Sequence, residues 1–462
     1  MKTYIEKLFL LPFLVAGLGL ITASRVTAQT FTTLHALNHA TEGAAPAGIT
    51  LSGNTLYGVA NAGGVSSSGT IFAMNTNGAG FTVLHSFSTL SNATNSDGYY
   101  LLGAPVLSGG NLYGTATEGG TSGNGTIFTI NTNGTGFTVL YTFTAVPDSS
   151  PRTNSDGKYP YAGLILSGNT LYGTTAQGGT SGFGTVFKIN TNGSGFTVLH
   201  TFTDGGIGDS SASLVLSGNT LFGTTRYGGT SGVGTVFAVN TNGSGFNILH
   251  NFAGSPNDGT YPLSELVLSG NTLYGTTVSG GSGFYGTVFS INTSGTGFTI
   301  LHNFTSSPDG RGPEAGLTLS GNTLYGTTFG GGTVGDNGTL FSLNTDGSGY
   351  TTMYSFTAGG NGANPEATMV LSGNTLFGTA LQQPGTVFSF IHGCASAFLN
   401  IAQYAGVSVS GSVGCTYEID YTTNLNNPAW IPLITNTLLS NPFLFIDTNV
   451  VSGNRFYRAV AQ

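Results

Sequence analysis

Five aspartates, Asp97, Asp156, Asp204, Asp258 and Asp309, each stand directly before a glycine and ahead of a recurring L-S-G-N-type phrase. A pair of such carboxylates can serve as acid and base in glycoside hydrolysis when about 5–10 Å separates them, and a ring of them can attract calcium or cationic groups. An Asp-Gly step is also ordinary turn chemistry, in which the aspartate bonds its own backbone and glycine takes positive φ. The turn is the heavier reading. A second set varies inside a constant frame. Ala62, Glu118, Gln177, Tyr227 and Ser279 each precede a glycine pair, with Arg226 beside Tyr227. Charged, amide and aromatic tips on a fixed scaffold suit recognition of sugars. The ligand-binding candidates are therefore Glu118, Gln177, Arg226, Tyr227, Asp97, Asp156, Asp258 and Asp309. No residue is assigned to catalysis or to a metal.

Histidine is the next residue to weigh. His35, His85, His200, His250 and His302 share one repeat position, which Tyr141 and Tyr354 fill elsewhere. Tyrosine keeps a flat ring with a polar tip but replaces an imidazole ligand poorly, so the position predicts packing plus one hydrogen bond. Tyr57, Tyr113, Tyr172, Tyr274 and Tyr325 form a similar series. Phe222 and Phe377 interrupt it, which makes the hydroxyl dispensable. No Ser-His-Asp grouping or zinc spacing occurs. Gly178–Gly182 lacks the lysine and following helix of a phosphate loop.

The elements that carry these residues come from repetition. Seven phrases close to L-S-G-N-T-L-Y-G begin at Leu51, Leu107, Leu166, Leu216, Leu268, Leu319 and Leu371, a period near fifty residues. Within one repeat, Leu164–Ser167, Thr170–Thr175, Gly184–Ile189 and Phe196–Phe202 are short β-branched and aromatic runs separated by glycine-bearing turns. Four such strands make an antiparallel meander, and no run has helical periodicity. The seventh repeat ends at Phe390 without its fourth run, while Phe31–Leu37 has that pattern and no repeat of its own. The expectation is an all-β, seven-bladed propeller over residues 29–390, closed by the N-terminal strand, which removes exposed edges. Leu164–Ser167 should then be innermost, lining a central channel. The linkers and the glycine-pair loops should share one face.

The L-Y-G-T-T, G-G-T-S-G-x-G-T-V-F and T-N-G-S-G-F-T-V-L-H phrases resemble the GloVer (Gloeo/Verruco) tandem-repeat family of secreted proteins, over about residues 31–390. The resemblance implies secretion and brings no catalytic role with it. Some relatives end in a Pro-Glu-Pro sorting anchor with an apolar helix, and this sequence has neither.

Lys2 and Lys7, the apolar run Leu8–Ala23 and Val26-Thr27-Ala28 read as a signal peptide over residues 1–28. The run is shorter than the ~20 residues of a spanning helix. The expected product is exported by a bacterium to the cell surface or medium, with no membrane span after cleavage. Removing the leader leaves seven basic and seventeen acidic residues with no basic cluster, which argues against nucleic acid. The expected partners are extracellular polysaccharide or protein, and the expected state is a monomer without cofactor, calcium being the one ion considered.

Beyond residue 390 the repeats stop. Six alternating runs predict a small fibronectin- or immunoglobulin-like β-sandwich over residues 391–462. Cys394 and Cys415 are the only cysteines, and in an oxidising compartment this pair predicts one disulfide. With only His392 nearby they offer too few ligands for a metal. The function expected from all this is non-enzymatic binding or display. A carbohydrate-active hydrolase or lyase using acidic residues at the channel mouth is the alternative.

Overall fold

In the computed structural model, the chain is described over residues 29–146, 153–203, 207–208, 212–382 and 384–392, and beyond these within strands and Trp430 up to residue 461. The leader and both cysteines lie outside the described residues, as does Asp204. The chain divides into two units, Thr30–Ile391 and a second that holds His392–Gln462.

The first unit is seven four-stranded antiparallel sheets, one per repeat: a seven-bladed β-propeller. In blade 3, Ile165–Ser167, Thr170–Thr175, Thr185–Asn190 and Thr197–Thr201 pair in chain order. The outermost position of blade 7 is held by Thr30–Ala36, antiparallel to Thr386–Ile391. A short 3₁₀ turn at Gly359–Asn361 is the one helical element among the described residues.

Second and third strands are buried almost without interruption, because each blade is covered on both faces by its neighbours. The sequence answers that demand with a small-large pair. Gly173 lies across from Phe187, and a Cβ on Gly173 would come within 2.6 Å of that ring. The glycine therefore leaves the space in which Phe187, fully buried, is seated. Among the described residues seven apolar clusters form, each drawn from two neighbouring blades, one of them joining blade 7 to blade 1.

The outer strands depart from strict alternation. Val186 pairs with His200 and Phe187 with Val198, so Leu199 is an extra residue and the strand bulges. The same irregularity falls between Thr33 and His35 in the N-terminal strand. Past the bulge, ring stacks with centroids 3.6–4.2 Å apart cross every blade-to-blade contact: His85 on Phe137, Tyr141 on Phe196, His200 on Phe246, His250 on Phe298, His302 on Tyr350, Tyr354 on Phe31 and His35 on Phe81.

In the second unit, Phe398–Ile401, Gly406–Ser410 and Phe443–Ile446 form one three-stranded sheet. Ile431–Thr437, Thr416–Thr422 and Phe456–Ala461 form another. No helix among the described residues is long and apolar enough to cross a membrane.

Candidate functional site

The linker aspartates belong to the stacked belt. Asp97 is buried. Its Oδ2 lies 3.1 Å from His85 Nε2, and the Ser88 amide donates to both carboxylate oxygens. Tyr141 replaces histidine at the next contact and donates its hydroxyl to Asp156 at 2.7 Å, with the Thr144 amide at 2.9 Å. His250–Asp258 at 3.0 Å and His302–Asp309 at 3.1 Å repeat the arrangement. Each carboxylate thus ties the tip of an outer strand to the chain that follows it. Burial pushes the Asp97 carboxyl up, but the hydrogen bonds from His85 and Ser88 outweigh it and hold the group below the usual range. Burial pulls His302 down, partly offset by Asp309. Among the described residues no three His, Cys, Asp or Glu side chains converge on one point that could hold a metal ion.

The variable positions lie where the second strands end. Glu118 exchanges both backbone hydrogen bonds with Tyr99, Gln177 with Lys158, and Tyr227 pairs with Gly208. Each therefore meets the linker that leads into its own blade. Tyr227 is 43% exposed, with the Arg226 guanidinium 5.1 Å from its ring centroid and the Tyr261 ring edge-on at 5.5 Å. Phe284 and Tyr285, in the corresponding loop of blade 5, are exposed as well.

The inner strands and the segments leading into them surround a cavity of about 600 Å³, lined by residues of all seven blades. Of the eight ligand-binding candidates, Arg226 is the one that lines it. The remaining charges of the cavity come from three glutamates absent from that set: Glu265, Glu314 and Glu366. Glu314 and Glu366 occupy the same place in successive repeats, in Pro313-Glu314-Ala315 and Pro365-Glu366-Ala367. That recurrence was the available signal. It escapes a search centred on Asp-Gly because the other five repeats place no acid there.

Local backbone geometry delivers these groups. The residue before the proline is left-handed at Tyr159, Tyr261, Gly312 and Asn364, with φ between 57° and 62°. Its amide there donates to the preceding blade, as from Tyr159 to Asn124 and from Tyr261 to Val233. The chain turns off the linker and enters the cavity wall at that point. A left-handed tyrosine is uncommon and marks a place held by its surroundings. Further in, Gly316 keeps a gap open: a Cβ there would come within 2.5 Å of Glu265 Cγ and Thr368 Oγ1. Glu265 uses the gap to bond the side chains of Thr368 and Ser213, while the Gly316 amide donates to Thr368 at 3.0 Å.

The cavity's electrostatics are uneven. Burial pushes Glu265 up, and the bonds from Thr368 and Ser213 oppose this. Burial also raises Glu314, offset by Arg226 and Arg311. Glu366 is pushed up to about 7, first by burial and then by the charge of Glu314. Neither Glu314 nor Glu366 accepts a hydrogen bond from another described residue, and the buried Nε of Arg226 has no acceptor. Such a wall can hold a polar ligand, and a carboxyl poised near neutrality can also move a proton.

Residues 15–154, 151–336 and 273–412 match the Gloeobacter/Verrucomicrobia repeat. No curated protein matches the chain. Among solved structures, an oligogalacturonate lyase in complex with manganese is similar at 11% identity and a TM-score of 0.48, over 79% of this chain and 96% of that one. The Vibrio parahaemolyticus oligogalacturonate lyase gives 11% and 0.46, over 79% and 97%. A chain of the nidogen/laminin complex gives 16% and 0.36, over 56% and 82%.

Proposed function

The chain belongs to the Gloeobacter/Verrucomicrobia repeat family, and we propose that it is a secreted, non-enzymatic binding propeller that takes an extracellular polysaccharide at its central channel. The observation that carries this reading is the cavity ringed by all seven blades, whose wall holds Arg226 with three half-buried glutamates, while the exposed Tyr227 ring lies against the Arg226 guanidinium. Its size falls in the range of about 300–1,000 Å³ usual for small-molecule sites. Convergent polar groups beside an aromatic face suit a sugar, which presents hydroxyls at its edges and apolar C–H groups on its faces. The belt aspartates have no part in this function, because their oxygens are already engaged by His85, Tyr141, His250 and His302.

In the same proposal the N-terminal strand closes the ring, the two C-terminal sheets pack as a β-sandwich, and residues 1–28 export the protein. Titration of mature protein against a panel of soluble polysaccharides, with and without chelator, tests the main claim. Saturable binding that Arg226→Ala abolishes is expected. Binding that survives Arg226→Ala and is lost on deleting residues 392–462 would move the site to the second unit.

The second reading is a glycoside hydrolase or lyase, favoured by one observation: Glu366 is raised to about 7 beside Glu314. A carboxyl raised toward neutrality beside a second one can give and take a proton during such a reaction. Release of reducing or unsaturated ends from a bound polysaccharide, abolished by Glu366→Gln, would establish it over simple binding.

A further inference from the structure

The cavity's unmet polar groups narrow the kind of sugar, on the premise that the channel is a saccharide site. We propose that the channel selects an amine-bearing saccharide, its ammonium seated between Glu314 and Glu366 and its hydroxyls accepting from Arg226.

Three features of the wall argue for this. The buried Nε of Arg226 requires an acceptor, which a hydroxyl or ring oxygen supplies. Glu314 and Glu366 are half-buried and accept no hydrogen bond from another described residue, so their oxygens are open to a donor from the ligand. Glu265 is spoken for by Ser213 and Thr368, so it adds charge without competing for the ligand. The groups facing Glu366 are Glu314 and Tyr100, whose own hydroxyl is raised by burial and by Glu366. With Arg226 set against Glu314, Glu265 and Glu366 stay without a counter-charge, and because Thr368 and Ser213 already hold Glu265, a cation from the ligand complements Glu366. A neutral sugar could satisfy the hydrogen bonds but would leave that charge without a counter-charge. A uronate would add a second anion and be repelled.

A bare divalent metal fits less well. Calcium asks for six to eight oxygens close together, whereas this cavity is about 600 Å³ and carries a guanidinium in its wall.

The test uses the full mature chain and three probes of equal length: a β-1,4-linked glucosamine tetrasaccharide, its N-acetylated counterpart and the corresponding glucose tetrasaccharide. Each is titrated calorimetrically at neutral pH in the presence of chelator. The glucosamine probe should bind at least about tenfold more tightly than the other two, a difference readily resolved by calorimetry. Glu366→Gln and Glu314→Gln, near-isosteric changes, should each erase most of that preference. Arg226→Ala should weaken all three probes together.

Thermal melts of every variant separate lost recognition from lost folding. Equal affinity for the three probes would overturn the amine selectivity and leave the saccharide site standing. Binding that requires calcium in place of chelator, or a glucosamine preference intact in both glutamine variants, would also overturn it. Failure of all three probes alongside binding of another neutral polysaccharide, sensitive to Arg226→Ala, would do the same. Failure of every saccharide would take the underlying reading with it.

Discussion

The outer belt and the inner channel of this propeller are built from the same repeats and behave in opposite ways. On the belt, every contact between blades carries a ring stack, and substitutions are confined to rings for rings: Tyr141 and Tyr354 for histidine, Tyr350 for phenylalanine. In the channel, the residue three places before the recurring leucine is Gly48, Ala104, Gly163, Ser213, Glu265, Gly316 and Thr368 in turn. The belt must meet an identical neighbour at each step, so each copy faces the same packing problem. The inner edge faces space, where nothing in the fold demands that the copies agree. Symmetry is the mark of scaffold here, and its loss falls on the cavity wall.

That contrast can be broken most forcefully in the packed blades. Phe187→Ala should cost about 3–5 kcal/mol, as large-to-small changes at fully buried aromatics do. Chemical denaturation would measure it, and affinity per folded molecule should stay the same. A smaller loss is expected at the belt carboxylates. Asp156→Ala strips a partner from the Tyr141 hydroxyl and the Thr144 amide, each part-buried, for about 1–3 kcal/mol. Should this variant lose ligand binding while its melting temperature is unchanged, belt and channel would not be separate in role. The stacks themselves come next. Phe246→Leu removes the ring facing His200 at 3.6 Å and keeps most of the volume, so a double-mutant cycle with His200→Ala should report about 0.5–1.5 kcal/mol.

The mildest perturbation, in the channel, should have the reverse sign. Glu366 is held up to about 7, above the ordinary glutamate value. Between those values the folded protein keeps a proton that the unfolded chain has released, so this group makes stability fall as pH rises through the window. Glu366→Gln should therefore raise the melting temperature above neutrality and change it little in mild acid. Asp97 acts oppositely: its lowered carboxyl contributes stability above the usual aspartate value, and that is lost as pH falls through the folded value. Melting curves of Glu366→Gln and Asp97→Asn should accordingly approach the parent in acid and depart from it in opposite directions once each carboxyl ionises, the first upward and the second downward. A Glu366→Gln curve that falls below the parent above neutrality would refute the unfavourable ionisation of Glu366 in the fold.

Much of the scaffold was legible because it repeats. Period, strand runs and the glycine turns each recur, and the histidine position could be discounted as a metal ligand by comparing copies. Asp97 and His85 looked like separate features, one a turn and one a packed ring, whereas they are two ends of one contact. Sequence distance conceals such a pair: the hydrogen bond forms only after the outer strand bulges and the linker returns to it. The channel was harder still. Glu118 and Gln177, singled out for variability, meet linkers through their backbones, and only Arg226 of that group reaches the cavity. Glu265 carries no motif, the Pro-Glu-Ala of Glu314 and Glu366 recurs in two repeats alone, and a carboxylate's importance depends on what surrounds it.

What the sequence determined by itself was the unit and the number of units: β-branched and aromatic runs with glycine turns form strands through local propensity, and seven copies of one meander have few ways to bury their faces. What only the tertiary structure decided was which few charges share the central space. Burial, the proximity of Glu314 to Glu366 and the missing acceptor of Arg226 are properties of residues brought together from separate blades, and no local pattern encodes that distance.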